Sequence, residues 1–441
     1  MTMTNFAAEL AARAKDKGPI IVGLAGAGQM GTDIVVQVGL MPGMRIGAVA
    51  EHRINRAIEA AQMAGWAKGD IVESNTANGI DAAIESGKIA VTQDLEALAA
   101  AGRIDVVIDA TGNPNIGANF ALAAMRHKKH VVMLNVEADI TIGRMLKAEA
   151  SRQGVVYTGA AGDEPAATME LIGFVQSLGM TIVAAGKGKN NPLKFDATPD
   201  QYEEEARARQ MNARMLVEFV DGSKTMIEMV AVANATGLVP DKPGMHGPAA
   251  TREELAHVLC PTSHGGVLSR KGVVDYSIGK GVAPGVFVIV EGRHPRVTER
   301  LADLKVGKGP FFSILRPYHL TSLETPLSAA RAVVHGTADL QPLDHPVAEA
   351  VAVAKRDLTP GMTMGMIGEY DYRAWAMTWA DARKGRAVPI GLVEKAKVVK
   401  PIKAGEPLTY DNVAIDETMT ISRMRRELDL ADARFLPADA A

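Results

Sequence analysis

The stretch that most constrains this chain is Ile20-Ile21-Val22-Gly23-Leu24-Ala25, running straight into Gly26-Ala27-Gly28-Gln29-Met30-Gly31. An apolar run of strand length meets a GxGxxG loop, and a helical pattern follows over Thr32 to Val38. In that context Gly26 makes the tight turn, Gly28 lets backbone approach a pyrophosphate, and Gly31 lets helix pack on strand. Gln29 and Met30 complete the loop at the helix N-terminus, whose free N–H groups and positive dipole end favour phosphate. Glu51 stands twenty residues beyond Gly31, where such a unit carries its ribose-binding carboxylate. A glycine-rich turn in another βα unit is the bland alternative. Strand, helix and carboxylate in register weigh against it.

The chain has 441 residues, too many for one typical core, so two or three domains are expected. A formal net charge of -3 gives no bulk attraction to nucleic acid or to a membrane surface. No apolar run reaches the length of a membrane span, and residues 1–18 read as a surface helix rather than a signal peptide. The single cysteine, Cys260, excludes an intrachain disulfide framework and points to a reducing compartment, most simply the cytoplasm.

Residues 1–160 read as a doubly wound α/β domain with a parallel sheet. Its second strand, Met44 to Ala50, ends at Glu51-His52-Arg53. A carboxylate here grips the ribose of NAD, and a nearby arginine accommodates the 2′-phosphate of NADP. Glu51, Arg53 and Arg56 offer both, and the arginines favour NADP while leaving NAD open. Met63 to Lys88 reads as an insertion bearing Gly, Asn and Ser. The buried-strand pattern Asp105 to Gly112 puts Thr111 and Gly112 at a carboxyl end, where open α/β sheets bind ligands, and Asn135 ends the next strand.

Residues 161–340 read as an α+β substrate domain. Asp163 and Glu164 precede Pro165 at a helix start, either complementing the dipole or serving as hard oxygen ligands or acid–base groups. A strand over Met180 to Ala185 leads to Gly186-Lys187-Gly188-Lys189-Asn190-Asn191-Pro192, read as a loop gripping an anionic, hydroxylated ligand. Glu203 to Arg214 reads as one charged helix. Lys224, Glu228 and Asn234 share the next helix, but periodicity alone does not orient them. The histidines lack metal-ligand spacing, and His319, in the polar run Arg316 to Pro326, is the one held as a site candidate. Residues 341–441 read as a small β-rich domain with a loose internal echo and a frayed tail over 436–441.

The GxGxxG domain together with Gly162-Asp163-Glu164-Pro165 resembles the homoserine dehydrogenase-like oxidoreductases. The stretches Ala354-Lys355-Arg356-Asp357-Leu358 and Pro389-Ile390-Gly391-Leu392 to Tyr410-Asp411 resemble a SAF domain. Over nearly the whole chain this combination is similar to the 1-deoxy-D-xylulose 5-phosphate reductoisomerase-like enzymes. The resemblance implies a homodimer, NADPH, a divalent metal (Mg or Mn) and formation of 2-C-methyl-D-erythritol 4-phosphate for isoprenoid precursor synthesis. Two departures stand out. Asn135-Val136-Glu137 replaces the Asn-Lys of true homoserine dehydrogenases, and the Ser-Glu metal motif of the ordinary reductoisomerases is missing.

These readings make Lys187, Lys189, Asp163, Glu164, Asn191 and His319 the candidate catalytic residues, with Asp163 and Glu164 as metal ligands. The other readings are an NAD(P)-dependent dehydrogenase of another small polyol phosphate or hydroxy-aldehyde, and a non-catalytic dinucleotide or sugar sensor.

Overall fold

The computed structural model describes residues 5–191, 193–209 and 211–435; the expected frayed tail and Pro192 lie outside the described residues. The chain divides into two units, residues 1–163 with 320–341, and residues 164–319 with 342–441.

In the first unit seven strands form one parallel sheet: β1 (Ile20–Ala25), β2 (Met44–Ala50), β3 (Ile71–Glu73), β4 (Ile89–Thr92), β5 (Val106–Asp109), β6 (His130–Met133) and β7 (Tyr157–Gly159). Their spatial order is β3-β4-β2-β1-β5-β6-β7, and every pair is parallel. Helices cover the sheet, so β1, β4 and β5 are apolar and almost wholly buried along their length. The strand order reverses between β1 and β5, and a ligand crevice opens at the carboxyl ends of such a pair.

Three local readings change here. Residues 63–88 hold a further βα unit, β3 and the helix Ala77–Glu85, rather than an irregular insertion. Its glycine is a packing residue: a Cβ on Gly79 would meet Ser74 Oγ at 2.1 Å. The helix after β6 begins at Val136, six residues before the expected start, because the Asn135 side chain accepts from the Ala138 N–H and caps it. Finally, the helix Thr325–His335 returns to this unit and sets Ala329 and Ala330 into the core around β1.

A buried pair ties β7 to the helix before it. The Tyr157 hydroxyl donates to Asp139 Oδ1 at 2.6 Å, and burial holds the Asp139 carboxyl up at about 6. Removing the donor in Tyr157→Phe leaves a buried carboxylate oxygen unpaired, with an expected loss of about 1–3 kcal/mol. The sign with pH follows from the raised value. Between about 3.8 and 6 the folded state binds more protons than the unfolded, so this group's contribution falls as pH rises through that window. Denaturant melts of both proteins at pH 5 and pH 7.5 check it, with the larger deficit expected at pH 7.5.

The second unit is built on a mixed sheet of β8 (Thr181–Gly188), β9 (Val239–Pro240), β10 (Val273–Ser277), β11 (Val286–Glu291) and β12 (Phe311–Arg316), in the order β12-β11-β8-β10-β9. Strands β8, β9 and β10 run parallel, while β11 is antiparallel to β8 and β12. The helices Glu164–Ser177 and Ser223–Thr236 pack on this sheet and on each other. A small antiparallel pair, β13 (Ala348–Ala354) and β14 (Tyr372–Thr378), lies against the second of these helices, where the Ala374 N–H donates to Ser223 Oγ at 2.9 Å. Lys397–Val398 and Val413–Ala414 form a second small pair.

Two expectations fail in this unit. The charged run is two helices, Glu203–Ala208 and Ala213–Val220, and the Asn212 side chain caps the second by accepting from the Arg214 N–H. Strand β8 also runs to Gly188, so Gly186-Lys187-Gly188 is strand rather than loop. A Cβ on Gly186 would sit 1.7 Å from the Asp275 carbonyl oxygen, and one on Gly188 2.2 Å from the Ala283 nitrogen. Both glycines are therefore required by neighbouring backbone, not by approach to a ligand.

Candidate functional site

Each unit carries one concentration of functional side chains. In the first, Gly26 and Gly28 follow β1 in the turn before the helix Gln29–Leu40, and Gly31 lies in the first turn of that helix. Gly26 has φ of +95°, and its Cβ would fall 2.5 Å from the Ala110 carbonyl oxygen. A Cβ on Gly31 would lie 2.0 Å from the Gly26 carbonyl oxygen. Gly28 is different. It is exposed, its φ is -74°, and a Cβ there meets nothing within 4 Å. No side chain caps the helix, so the first turn, with Gln29 exposed and Met30 half-buried, presents its N–H groups outward. That cradle fits the pyrophosphate of a dinucleotide.

Glu51 is tied into this loop. Its Oε2 accepts from the Ala27 N–H at 2.8 Å and its Oε1 from the Arg53 N–H at 3.0 Å. The side chains of Arg53 and Arg56 are exposed beside it. At the end of β5, the buried Asp109 accepts from the Thr111 N–H at 2.9 Å, and burial lifts its carboxyl to about 6. Gly112 is exposed with φ of +64° and open space at its Cβ. Asn135 donates to the Asn113 carbonyl at 2.8 Å while capping its own helix, so its amide braces the loop after β5. An open groove of about 560 Å³ past β3 and β4 is walled by Asn75, Gln93, Ile116 and Asn119 among others.

In the second unit the centre is Lys187 on β8. Its ammonium donates to Glu164 Oε1 at 2.5 Å and also to Glu228 Oε2. Glu164 opens one helix, Glu228 lies midway along the other, and His319 Nε2 stands 3.3 Å from Glu164 Oε1. Lys187 and both glutamates are buried, Glu228 at 1% side-chain exposure, while His319 is half-buried. Despite desolvation, the Lys187 ammonium holds Glu164 well below the usual carboxylate range, and the two carboxylates hold Lys187 above the usual lysine range. Burial and then the Glu164 charge push Glu228 the other way, up to about 7. One of two neighbouring carboxylates is thus kept near neutrality for a proton.

Glu228 Oε1 is buried with no hydrogen-bond partner. Glu164 and Glu228 offer oxygens within 4.8 Å of each other. A hard divalent cation, or a proton, would satisfy that orphaned oxygen, so the donor set fits a metal of that class. Asp163, one residue before Glu164, is buried as the last residue of the first unit.

The structure therefore brings Lys187, Glu164 and His319 together. Lys189 makes no ion pair with these carboxylates and instead donates to the Phe219 carbonyl at 2.6 Å. Asn190 and Asn191 sit in the bend after β8, the first exposed and the second half-buried. Glu228 is the residue that periodicity left unplaced. Its signal was a lone carboxylate inside the apolar helical run Met226 to Ala233, all of it buried. Asn234 instead accepts from the Val347 and Ala348 N–H groups and holds the chain entering β13.

Among the described residues, no helix is long and apolar enough to cross a membrane. Two family models match the chain: "Homoserine dehydrogenase, NAD binding domain" over residues 26–158 and "Oxidoreductase DRL, catalytic domain" over residues 162–325. No curated protein matches it. Among solved structures it is similar to apo scyllo-inositol dehydrogenase from Lactobacillus casei, at 12% identity and a TM-score of 0.38, covering 73% of this chain and 89% of that one. It is also similar to a DOX-P reductoisomerase in complex with magnesium, at 15% identity and a TM-score of 0.37, covering 74% and 72%. Those two likenesses are distant and bear on neither substrate nor reaction. The family matches carry further: they support a place among the DRL oxidoreductases, and with the cofactor loop they make this chain an NAD(P)-dependent oxidoreductase.

Proposed function

We propose that this oxidoreductase is an NADPH-dependent reductoisomerase that converts 1-deoxy-D-xylulose 5-phosphate to 2-C-methyl-D-erythritol 4-phosphate. The observation that carries the reading is the buried Glu164–Lys187–Glu228 cluster inside the region matched by the DRL catalytic family model. A plain binding protein has no use for an ion-paired lysine between two carboxylates of opposite titration behaviour.

The glycine loop would hold the pyrophosphate, the groove beside Asn75 and Asn119 the adenine, and Arg53 and Arg56 the 2′-phosphate that selects NADPH. Glu164 and Glu228, with Asp163 beside Glu164 in the chain, would hold the divalent cation. When bound, that cation supplies Lewis-acid polarisation of the substrate's ketone and neighbouring hydroxyl. The remaining work falls to side chains. Glu228 would give up the proton it carries near neutral pH as the cation binds. Lys187 keeps Glu164 ionised, and His319 braces the same carboxylate. NADPH, when bound at the glycine loop, would supply the hydride that reduces the carbonyl carbon of the branched aldehyde left by rearrangement of the carbon skeleton, and a proton would go to its oxygen.

Purified protein with NADPH, Mg or Mn and 1-deoxy-D-xylulose 5-phosphate should oxidise NADPH in step with substrate. Chelation of the metal should stop it. Turnover with an unbranched polyol phosphate, and none with this substrate, would select the dehydrogenase reading instead.

A further inference from the structure

The helix that carries Glu228, Ser223–Thr236, is fastened at both ends by residues from the last hundred of the chain. At its start the Ala374 N–H donates to Ser223 Oγ at 2.9 Å. Near its finish the Asn234 side chain accepts from the Val347 and Ala348 N–H groups at 3.1 and 3.0 Å. Those two anchors stand eleven residues apart, about 16 Å along the helix axis. Strands β13 and β14 therefore hold the helix along its length rather than touching it at one point.

A third link is an ion pair. Lys355, the residue after β13, sets its ammonium 2.5 Å from Asp221 Oδ2, with side-chain exposures of 1% and 0%. The same ammonium donates to the Glu369 carbonyl at 2.8 Å and to the Ala197 carbonyl at 3.0 Å. Three donors thus meet three partners on three separate segments. Asp221 uses its other oxygen, Oδ1, to accept from the Ser223 N–H at 2.8 Å, at the entry to the Glu228 helix. Burial pushes the Asp221 carboxyl up, and the Lys355 charge is the first influence to oppose it.

Both sides of Asp221 lead to the reacting centre. Two residues before it, the Phe219 carbonyl accepts from Lys189 at 2.6 Å. Two residues after it begins the helix whose Glu228 meets Lys187. The chain between β8 and this helix is also pinned from the same far end. Arg214 Nη1 donates to the Ile367 carbonyl at 2.7 Å, and the Tyr370 hydroxyl donates to Asp200 Oδ1 at 2.6 Å. The Phe195 ring meets that of Trp375 edge-on at 5.4 Å.

We propose that residues 342–441 are an integral part of the catalytic unit rather than an appended binding module, with Lys355 as a positioning residue. Through Asp221 it fixes the helix of Glu228 and the carbonyl that orients Lys189. The proposal rests on reading the Lys187 cluster as the reacting centre. Steady-state kinetics, NADPH titration, thermal melts and hydrogen exchange on the full chain test it in Lys355→Met and in the double variant Lys355→Met/Asp221→Asn. Lys355→Met should lower kcat at least about tenfold, since small misplacements of reacting groups are costly. NADPH affinity should stay within about twofold, because the cofactor loop belongs to the first unit. Amide exchange should rise over residues 219–234 and not over β1 to β7. The double variant removes both buried charges, so its melting temperature should recover while its kcat stays low.

A folded Lys355→Met with wild-type kcat, or a double variant whose kcat recovers with its melting temperature, overturns the positioning role. If Lys355→Met does not fold, the double variant carries the test. The reaction fails separately. Should the wild type not turn over 1-deoxy-D-xylulose 5-phosphate, exchange decides: a rise confined to 219–234 supports the brace, and unchanged exchange there overturns it.

Discussion

Lys187→Met is expected to abolish turnover and to destabilise the protein together. The substitution leaves the Glu164 and Glu228 carboxylates buried side by side with no ammonium between them. Breaking a buried ion pair by removing one partner costs about 3–5 kcal/mol. The loss is partly relieved because Glu228, already raised to about 7, would take up a proton. Stability of the variant should therefore fall as pH rises from 6 to 9, since ionising the second carboxylate restores the repulsion. Loss of the residue that sets both carboxylates should reduce kcat by about 10²–10⁴-fold. Chemical denaturation and steady-state kinetics on one preparation check both parts. A variant that melts like the wild type and keeps its kcat would show that the cluster is neither strained nor catalytic.

Gly28→Ala and Gly31→Ala separate the cofactor from the fold. Alanine at 28 adds a Cβ to empty space, at a φ that any residue adopts, so the free protein should melt within about 2 °C of wild type. The added methyl stands where backbone approaches the pyrophosphate, and NADPH binding should weaken about 100-fold, or about 2.7 kcal/mol. Alanine at 31 drives its Cβ to 2.0 Å from the Gly26 carbonyl oxygen, which forces the helix off the loop and costs about 1–3 kcal/mol of stability. Fluorescence titration with NADPH, beside thermal melts, reads the contrast. Unchanged NADPH affinity in Gly28→Ala would remove the cofactor from this loop.

The dinucleotide loop was legible because every part of it is local: an apolar strand, three glycines at fixed spacing and a helix start. The second unit was less so, because its decisive contacts join distant segments. Lys187 was singled out, yet as a loop residue gripping a ligand. Nothing near Gly186 in sequence shows that the Asp275 carbonyl crowds it, so two packing glycines read as a flexible turn. Glu228 was visible only as a carboxylate in an apolar helix, and its meaning depends on Lys187, 41 positions away. The return of residues 320–341 to the first unit is equally non-local, held by contacts such as the Ala161 N–H donating to Ser328 Oγ at 2.7 Å.

The proposed function requires one protein both to rearrange a carbon skeleton and to reduce it with a hydride from NADPH. Turnover of 1-deoxy-D-xylulose 5-phosphate with NADPH deuterated at nicotinamide C4, followed by NMR of the product, tests it most directly. One deuterium per molecule is expected on the carbon reduced from the aldehyde, in a branched four-carbon chain bearing a methyl group. Deuterium in an unbranched pentitol phosphate, or no transfer at all, would contradict it.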